Sequence, residues 1–171
     1  MIAVPVITTE RLTLRAPRLA DFEPCAAYFV SERAELERGR QDRRGAWLEF
    51  AAVAGQWVLR GYGGFSLEER ATGAYLGEAG IFHEADYPEP ELGWMVVAEA
   101  EGKGIAFEAA LAVRAWAYET LGLETLVSYI HPANTRSIRL AERLGAVRDD
   151  AARPASAGDL VYRHPAPEAL Q

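Results

Sequence analysis

Residues 91–109, ELGWMVVAEAEGKGIAFEA, constrain the fold of this chain more than any other stretch. They open on an apolar run, Leu92 to Val97, too short for a helix and rich in aromatic and β-branched residues, which predicts a buried strand. The chain then turns through Glu101-Gly102-Lys103-Gly104 and enters a long apolar helix. Glycines let a backbone approach a ligand closely. The first N–H groups of a helix lack intrahelical acceptors and carry the positive end of its macrodipole. Such a turn suits a phosphorylated ligand; a plain strand-to-helix connection is the alternative. Two phosphate motifs are excluded. A nucleoside-triphosphate loop needs Ser or Thr after its Gly-Lys, but Gly104 follows Lys103. A dinucleotide fingerprint needs a third glycine, and Ala106 and Phe107 do not supply it.

After the helix, Gly122 breaks the pattern, and Thr125 to Ile130 alternates as a strand should. Strand, glycine turn, helix and strand form a βαβ unit, whose two strands run parallel in one sheet. The rest of the chain builds around it. Arg11 to Arg15 alternates strictly, and a helix is expected from an Asp21 N-cap through Phe29. Residues 31–44 mix both charges and read as a solvated loop or helix face, with a mobile segment over the substrate as the alternative. Ala46 to Leu59 has helical spacing and stops at Gly61. Tyr62 to Glu69 and Ala74 to His83 read as a hairpin around residues 70–73. The helix from about Lys103 to Leu121 is apolar around most of its circumference, so it is expected on a sheet and covered again. A last helix starts at Asn134, carries Ser137, Leu140, Ala141 and Leu144 on one stripe, and ends at Gly145; a strand, Leu160 to His164, follows. The expectation is a mixed α/β domain of six or seven strands and about four helices.

The 171 residues suffice for one domain, with a core over about residues 8–164 and a short tail at 165–171. Lys plus Arg 18 against Asp plus Glu 25 gives a net charge of −7, which disfavours a nucleic-acid partner and favours cationic ones. Cys25 is the single cysteine, so no internal disulfide forms; it reads as a buried core residue of a protein in a reducing compartment. The three histidines lie far apart, so no metal site is expected. No run reaches the ~18 apolar residues of a membrane span, and residues 1–15 lack a signal-peptide pattern, so the expected compartment is the cytoplasm. A homodimer is one option the sequence leaves open.

Three segments resemble a known family. TERLTLR followed by Asp21, ELGWMV followed by EGKGIAFEA, and NTRSIRLAERLGA are similar to the GNAT superfamily of acyl-CoA-dependent N-acyltransferases, within it the RimJ/RimL-like branch. The resemblance implies a GNAT-like fold: a mostly antiparallel sheet with a central, splayed parallel pair. It implies acetyl-CoA as cosubstrate and a primary amine as acceptor, either a protein N-terminal α-amine or a small-molecule amine, joined in a ternary complex without metal. Met95, Val96 and Val97 would hydrogen-bond the pantetheine through their backbone. The loop Glu101, Gly102, Lys103, Gly104, Ile105 and Ala106 would hold the diphosphate, with Asn134 and Ser137 beside the pantetheine and thioester; Asn134 is equally suited to capping its helix.

Two positions depart from the family pattern. Glu101 stands where Arg or Gln is usual, and its carboxylate is expected to point away from a diphosphate. Ala141 replaces a tyrosine that serves as proton donor to the leaving thiolate in many members, and Ser137 matches the serine suggested as its substitute.

Attack on a thioester needs a neutral amine. A lysine of pKa ~10.4 is neutral about once in 2,500 molecules at pH 7, a cost of about 4.6 kcal/mol, against roughly 1 to 1.4 for an α-amine. Glu91, opening the central strand, is the first candidate for the base, with a solvated strand-end carboxylate as the alternative; Glu78 and His83 are weaker candidates. No dominating base is evident, which tilts the reading toward an α-amine. The competing function is a non-catalytic acyl-CoA-binding or sensing module.

Overall fold

A computed structural model describes residues 3–170; residues 1, 2 and 171, at the ends of the expected domain, lie outside the described residues. The chain forms β1 (Ile7–Thr8), β2 (Leu12–Arg15), α1 (Phe22–Phe29), α2 (Arg43–Arg60), β3 (Gly64–Glu69), β4 (Tyr75–Phe82), β5 (Glu91–Val96), α3 (Ile105–Glu119), β6 (Val127–Ile130), α4 (Thr135–Arg143), β7 (Val147–Arg148) and β8 (Leu160–Arg163). The strands make one sheet in the order β1-β2-β3-β4-β5-β6-β8-β7. Every neighbouring pair is antiparallel except β5 and β6. The expected sheet had six or seven strands; the eighth arises because two of the eight, β1 and β7, are two-residue edge pieces too short for periodicity to register.

Alternation along β5 sorts the two faces of the sheet. Leu92 turns toward α3 and joins Leu12, Leu14, Phe65, Leu67 and Ile81 against Ala109, Ala110, Val113 and Ala117. Met95 turns the other way, among Phe22, Cys25 and Phe29 of α1 and Ala46 and Phe50 of α2. Trp57 near the end of α2, Phe65 and Trp116 of α3 lock the layers together, with ring centroids 4.9 Å and 5.2 Å from Phe65.

Two local expectations need correction. Asp21 does not cap α1 through its side chain. Its carboxylate is buried and engages the Arg15 guanidinium, the Arg18 N–H and the Ser66 hydroxyl. Burial alone would raise its pKa, but these donors outweigh burial and hold it below the usual carboxylate value. α3 is covered by the sheet on one side only, since Leu111 and Ala115 remain exposed on the other. Exposed alanines cost little, so an Ala-rich helix can look apolar all round without being enclosed. Within the expected tail, Pro167–Leu170 forms a 3-10 turn. No described helix is long and apolar enough to cross a membrane.

Candidate active site

The parallel seam is open. β5 and β6 are in register only at Glu91 and Val127, where the Val127 N–H donates to the Pro90 carbonyl. The next rung of a parallel ladder would join the Tyr129 N–H to the Leu92 carbonyl. Side chains take both groups instead: Glu91 Oε1 accepts from Tyr129 N at 3.3 Å, and Ser128 Oγ donates to Leu92 O at 2.6 Å. With that proton committed, Ser128 Oγ accepts from His164 Nε2 at 3.0 Å. Burial holds the His164 imidazole neutral, its pKa pushed down to about 3. Beyond this point the strands part around a cavity of about 360 Å³, lined from β5 by Glu91 through Met95 and from β6 by Ser128 to Ile130.

Of the residues singled out in the sequence, Glu78, Glu91, Met95, Asn134 and Ser137 line this cavity. Asn134 is buried and caps α4, accepting from Ser137 N at 3.2 Å, so the cap role holds while its side chain also reaches the cavity wall. Val96 and Val97 pack against the α3 core. The Val97 N–H donates to Leu76 O of β4, which turns the Val96 carbonyl the opposite way, into the opening. The glycine turn lies beyond the cavity. Gly102 and Gly104 have φ of 69° and 76°, conformations only glycine adopts readily. Above Gly102 there is open space, and above Gly104 only Arg11, 3.5 Å from an added Cβ. No backbone N–H from Gly102 to Ala106 has an acceptor among the described residues. The turn is braced from behind: Arg11 donates to Lys103 O and to Glu108 of the first turn of α3. A splayed strand pair leading to a glycine turn with free N–H groups fits a long thioester ligand ending in a diphosphate.

Two carboxyls in the cavity are poised near neutrality. Glu91 is pushed up to about 7 by burial, against the pull of Arg38 and of the Tyr129 N–H. Glu78, on β4 opposite Met95, is also pushed up to about 7 by burial, and the Cys25 thiol donates to it at 3.6 Å. Cys25 is fully buried, and burial together with the Glu78 carboxylate raises its thiol pKa, so it is no nucleophile. His83 lies outside the cavity, between the Tyr62 hydroxyl and the Tyr87 carbonyl. Ala141 is fully buried with Ile130 and Tyr162, so no hydroxyl replaces the absent tyrosine there, whereas Ser137 faces the cavity.

Residues 31–44 are not a solvated face throughout, and part of the stretch lies at the cavity, over which the alternative reading placed it. They bring Leu36, Glu37 and Arg38 into the cavity wall, where Arg38 pairs with Glu84. The one available signal was Leu36, an isolated apolar residue in a charged run. Among the described residues, no group of three or more His, Cys, Asp or Glu is placed to hold a metal.

Comparisons with known proteins agree with this geometry. Residues 11–147 match the acetyltransferase (GNAT) domain family, and the chain belongs to that family. Fold and family together define the class, an acetyl-CoA-dependent acyltransferase. Among solved structures, an acetyltransferase from Agrobacterium tumefaciens str. C58 is 40% identical over 96% of both chains, with a TM-score of 0.91. RimL, the ribosomal L7/L12 α-N-protein acetyltransferase in complex with coenzyme A, shares the fold at a TM-score of 0.72 and 14% identity, over 94% of this chain and 97% of its own. The RimJ/RimL-like resemblance fits this neighbourhood. YkkB of Bacillus subtilis (strain 168) is 32% identical over 80 residues; the match spans 46% of this chain and 46% of that protein, so the chain spans about half the length of this curated relative.

Proposed function

We propose that this protein transfers the acetyl group of acetyl-CoA to a primary amine, a protein N-terminal α-amine or a small-molecule amine, by direct attack within a ternary complex. One observation carries the reading: Glu91 sits where the parallel strands part, its pKa raised to about 7, so it is half ionised at neutral pH. The cavity supports an amine acceptor. Glu37, Glu49, Glu78, Glu84, Glu91 and Asp159 face it, with Arg38 as the arginine among them, and such a field draws in an ammonium ion.

Glu91 takes the proton from the ammonium, and the neutral amine attacks the thioester carbonyl. As the C–S bond breaks, Ser137, on the α4 side of the cavity, donates to the departing sulfur and is reprotonated by the attacking nitrogen, which sheds its extra proton as it becomes the amide. The unpaired N–H groups of Gly102 to Ala106 hold the diphosphate, Lys103 adds charge, and the Val96 carbonyl, next to Met95, receives a pantetheine amide; the Val97 N–H and carbonyl are already paired, with Leu76 O and the Ala100 N–H. A base of pKa about 7 lies within about one unit of an α-ammonium at ~7.7–8.0, but more than three below a lysine at ~10.4. The α-amine is therefore the better-matched protein acceptor.

The test is thiol release from acetyl-CoA with two otherwise identical peptides, one offering only a free α-amine and one only a lysine. Faster reaction of the α-amine peptide is expected; faster lysine acetylation overturns the preference. Coenzyme A binding with no thiol release, across peptides and small amines, would establish the sensing module instead.

A further inference from the structure

Glu101 is the residue that departs most sharply from the family's loop, and although its side chain is exposed it is held in two ion pairs. Its Oε1 accepts from Arg33 Nη2 at 2.5 Å and also from Arg136 Nη1. Arg33 comes from the 3-10 turn Glu32–Ala34, and Arg136 from the first turn of α4. These elements stand on opposite sides of the opening, so the carboxylate gathers two guanidinium groups at the head of the glycine turn. The two arginines, which also lie within electrostatic reach of the Glu37 carboxyl, carry more charge than Glu101 alone neutralises, and Lys103 adds a third positive group two residues on.

The donors are also in surplus. Arg33 Nη2 is stretched over a second acceptor, the Val96 carbonyl at 2.9 Å, which is the strand group that faces the opening. Arg33 Nε is buried and has no partner among the described residues. A guanidinium offers five N–H donors in a fixed fork suited to paired oxygens. One carboxylate oxygen cannot satisfy two such forks.

We infer that Glu101 is a built-in stand-in for the diphosphate, holding Arg33 and Arg136 beside the glycine turn until a cosubstrate phosphate takes them over. The inference rests on the acyl-CoA reading. It gives the arginines two successive partners: Glu101 in the free protein, and phosphate oxygens, which accept more N–H groups, in the complex. Arg33 then also leaves the Val96 carbonyl, freeing it for an amide of the pantetheine arm. A loop that substitutes a carboxylate for the usual Arg or Gln thus keeps phosphate affinity by borrowing cations from two neighbouring elements.

The test is calorimetric titration of coenzyme A and of pantetheine, which lacks the diphosphate, into wild type, Arg33→Gln, Arg136→Gln and Glu101→Gln. Coenzyme A affinity is expected to fall about tenfold or more in either arginine variant and to rise in Glu101→Gln, with pantetheine affinity unchanged in Arg136→Gln and not reduced in Arg33→Gln, where the Val96 carbonyl is already free. Arg136 is well exposed, so its variant carries the test should Arg33→Gln fold poorly. Unchanged coenzyme A binding in Arg136→Gln, an equal loss for pantetheine, or weaker coenzyme A binding in Glu101→Gln overturns the inference. Wild type silent toward coenzyme A would bring down the acyl-CoA reading itself, a different result from wild type binding and the variants matching it.

Discussion

β5 is bordered by two very different seams. On one side it pairs with β4 through six residues in register, from Glu91 opposite Phe82 to Val96 opposite Gly77. On the other it meets β6 at a single pair, Glu91 and Val127. The same strand is thus fully laddered along one edge and open along the other. The difference teaches how a sheet makes room for a ligand without orphaning its backbone. At the closed seam the polar groups pair with each other. At the open one Glu91 and Ser128 satisfy the first displaced rung, and the Val96 carbonyl turns to Arg33. Glu91 consequently has two tasks, as a support of the opening and as the proposed base.

The largest effect is expected from breaking the closed seam. Gly77 has φ 144° and faces Val96; a Cβ there would lie 2.2 Å from the Met95 carbonyl oxygen. The chain is irregular at this point, since Glu68 is opposite Tyr75 while Leu67 is opposite Gly77, leaving Leu76 as an extra bulged residue. Gly77→Ala combines backbone strain with overpacking, and a loss of about 3 kcal/mol or more is expected, read as a lowered midpoint in chemical denaturation. A variant as stable as wild type would mean that the seam is far more pliable than its register implies.

Next in size are the two catalytic substitutions at the open seam. Glu91→Gln keeps an oxygen for the Tyr129 N–H but cannot take a proton, so kcat is expected to fall by about 10²–10⁴ with folding little altered. In wild type the base works deprotonated, so kcat/KM rises with pH through about 7, and that limb is expected to vanish in the variant. Ser137→Ala is expected to lower kcat by about 10² and leave coenzyme A affinity intact. Wild-type kcat in Glu91→Gln would reduce Glu91 to its supporting task. The pH dependence of stability has the opposite sign from the rate. Folding raises the Glu91 pKa from 4.5 to about 7, so the folded chain holds this proton more tightly than the unfolded one. The stability it contributes is full below about pH 4.5 and is lost as pH rises toward 7.

The two seams were not equally legible in the sequence. The closed one rests on local signals: alternation in Tyr62 to Glu69 and Ala74 to His83, and a turn at residues 70–73, place the hairpin within two residues of its observed limits. The βαβ unit around Gly102 and Gly104 was equally local, and it located the parallel pair. Within that pair, the splay came from the family resemblance alone. Its supports join residues far apart in sequence, Ser128 to Leu92 and to His164, and no periodicity relates them. Glu91 could be named as a base because it opens a strand, but its poise near pH 7 depends on burial in the folded cavity, set against the charge of Arg38, a residue distant in sequence. Residues 31–44 read first as a solvated face for the same reason. Arginines read as a solvated face because their charge is visible in sequence, whereas the acceptors of Arg33 and Arg38, on Val96, Glu101 and Glu84, are not.

The smallest effect isolates the support of the open seam from its chemistry. Ser128 is almost fully buried, and its hydroxyl both donates to Leu92 O and accepts from His164 Nε2. Ser128→Ala strips a partner from both groups at once. A buried group left unsatisfied costs about 1–3 kcal/mol, and some recovery is available if the strands close and restore the Tyr129-to-Leu92 rung, so a net loss of about 2 kcal/mol is expected. Closure has a second consequence that a simple loss of stability does not: the cavity narrows and coenzyme A binds more weakly. Thermal melts with and without coenzyme A separate the two, because a narrowed seam reduces the ligand-induced shift as well as the starting midpoint. An unchanged ligand shift on a lowered midpoint would mean that the strands stay parted without Ser128, held open by the packing of α3 and α4 rather than by the side chains that occupy the missing rung.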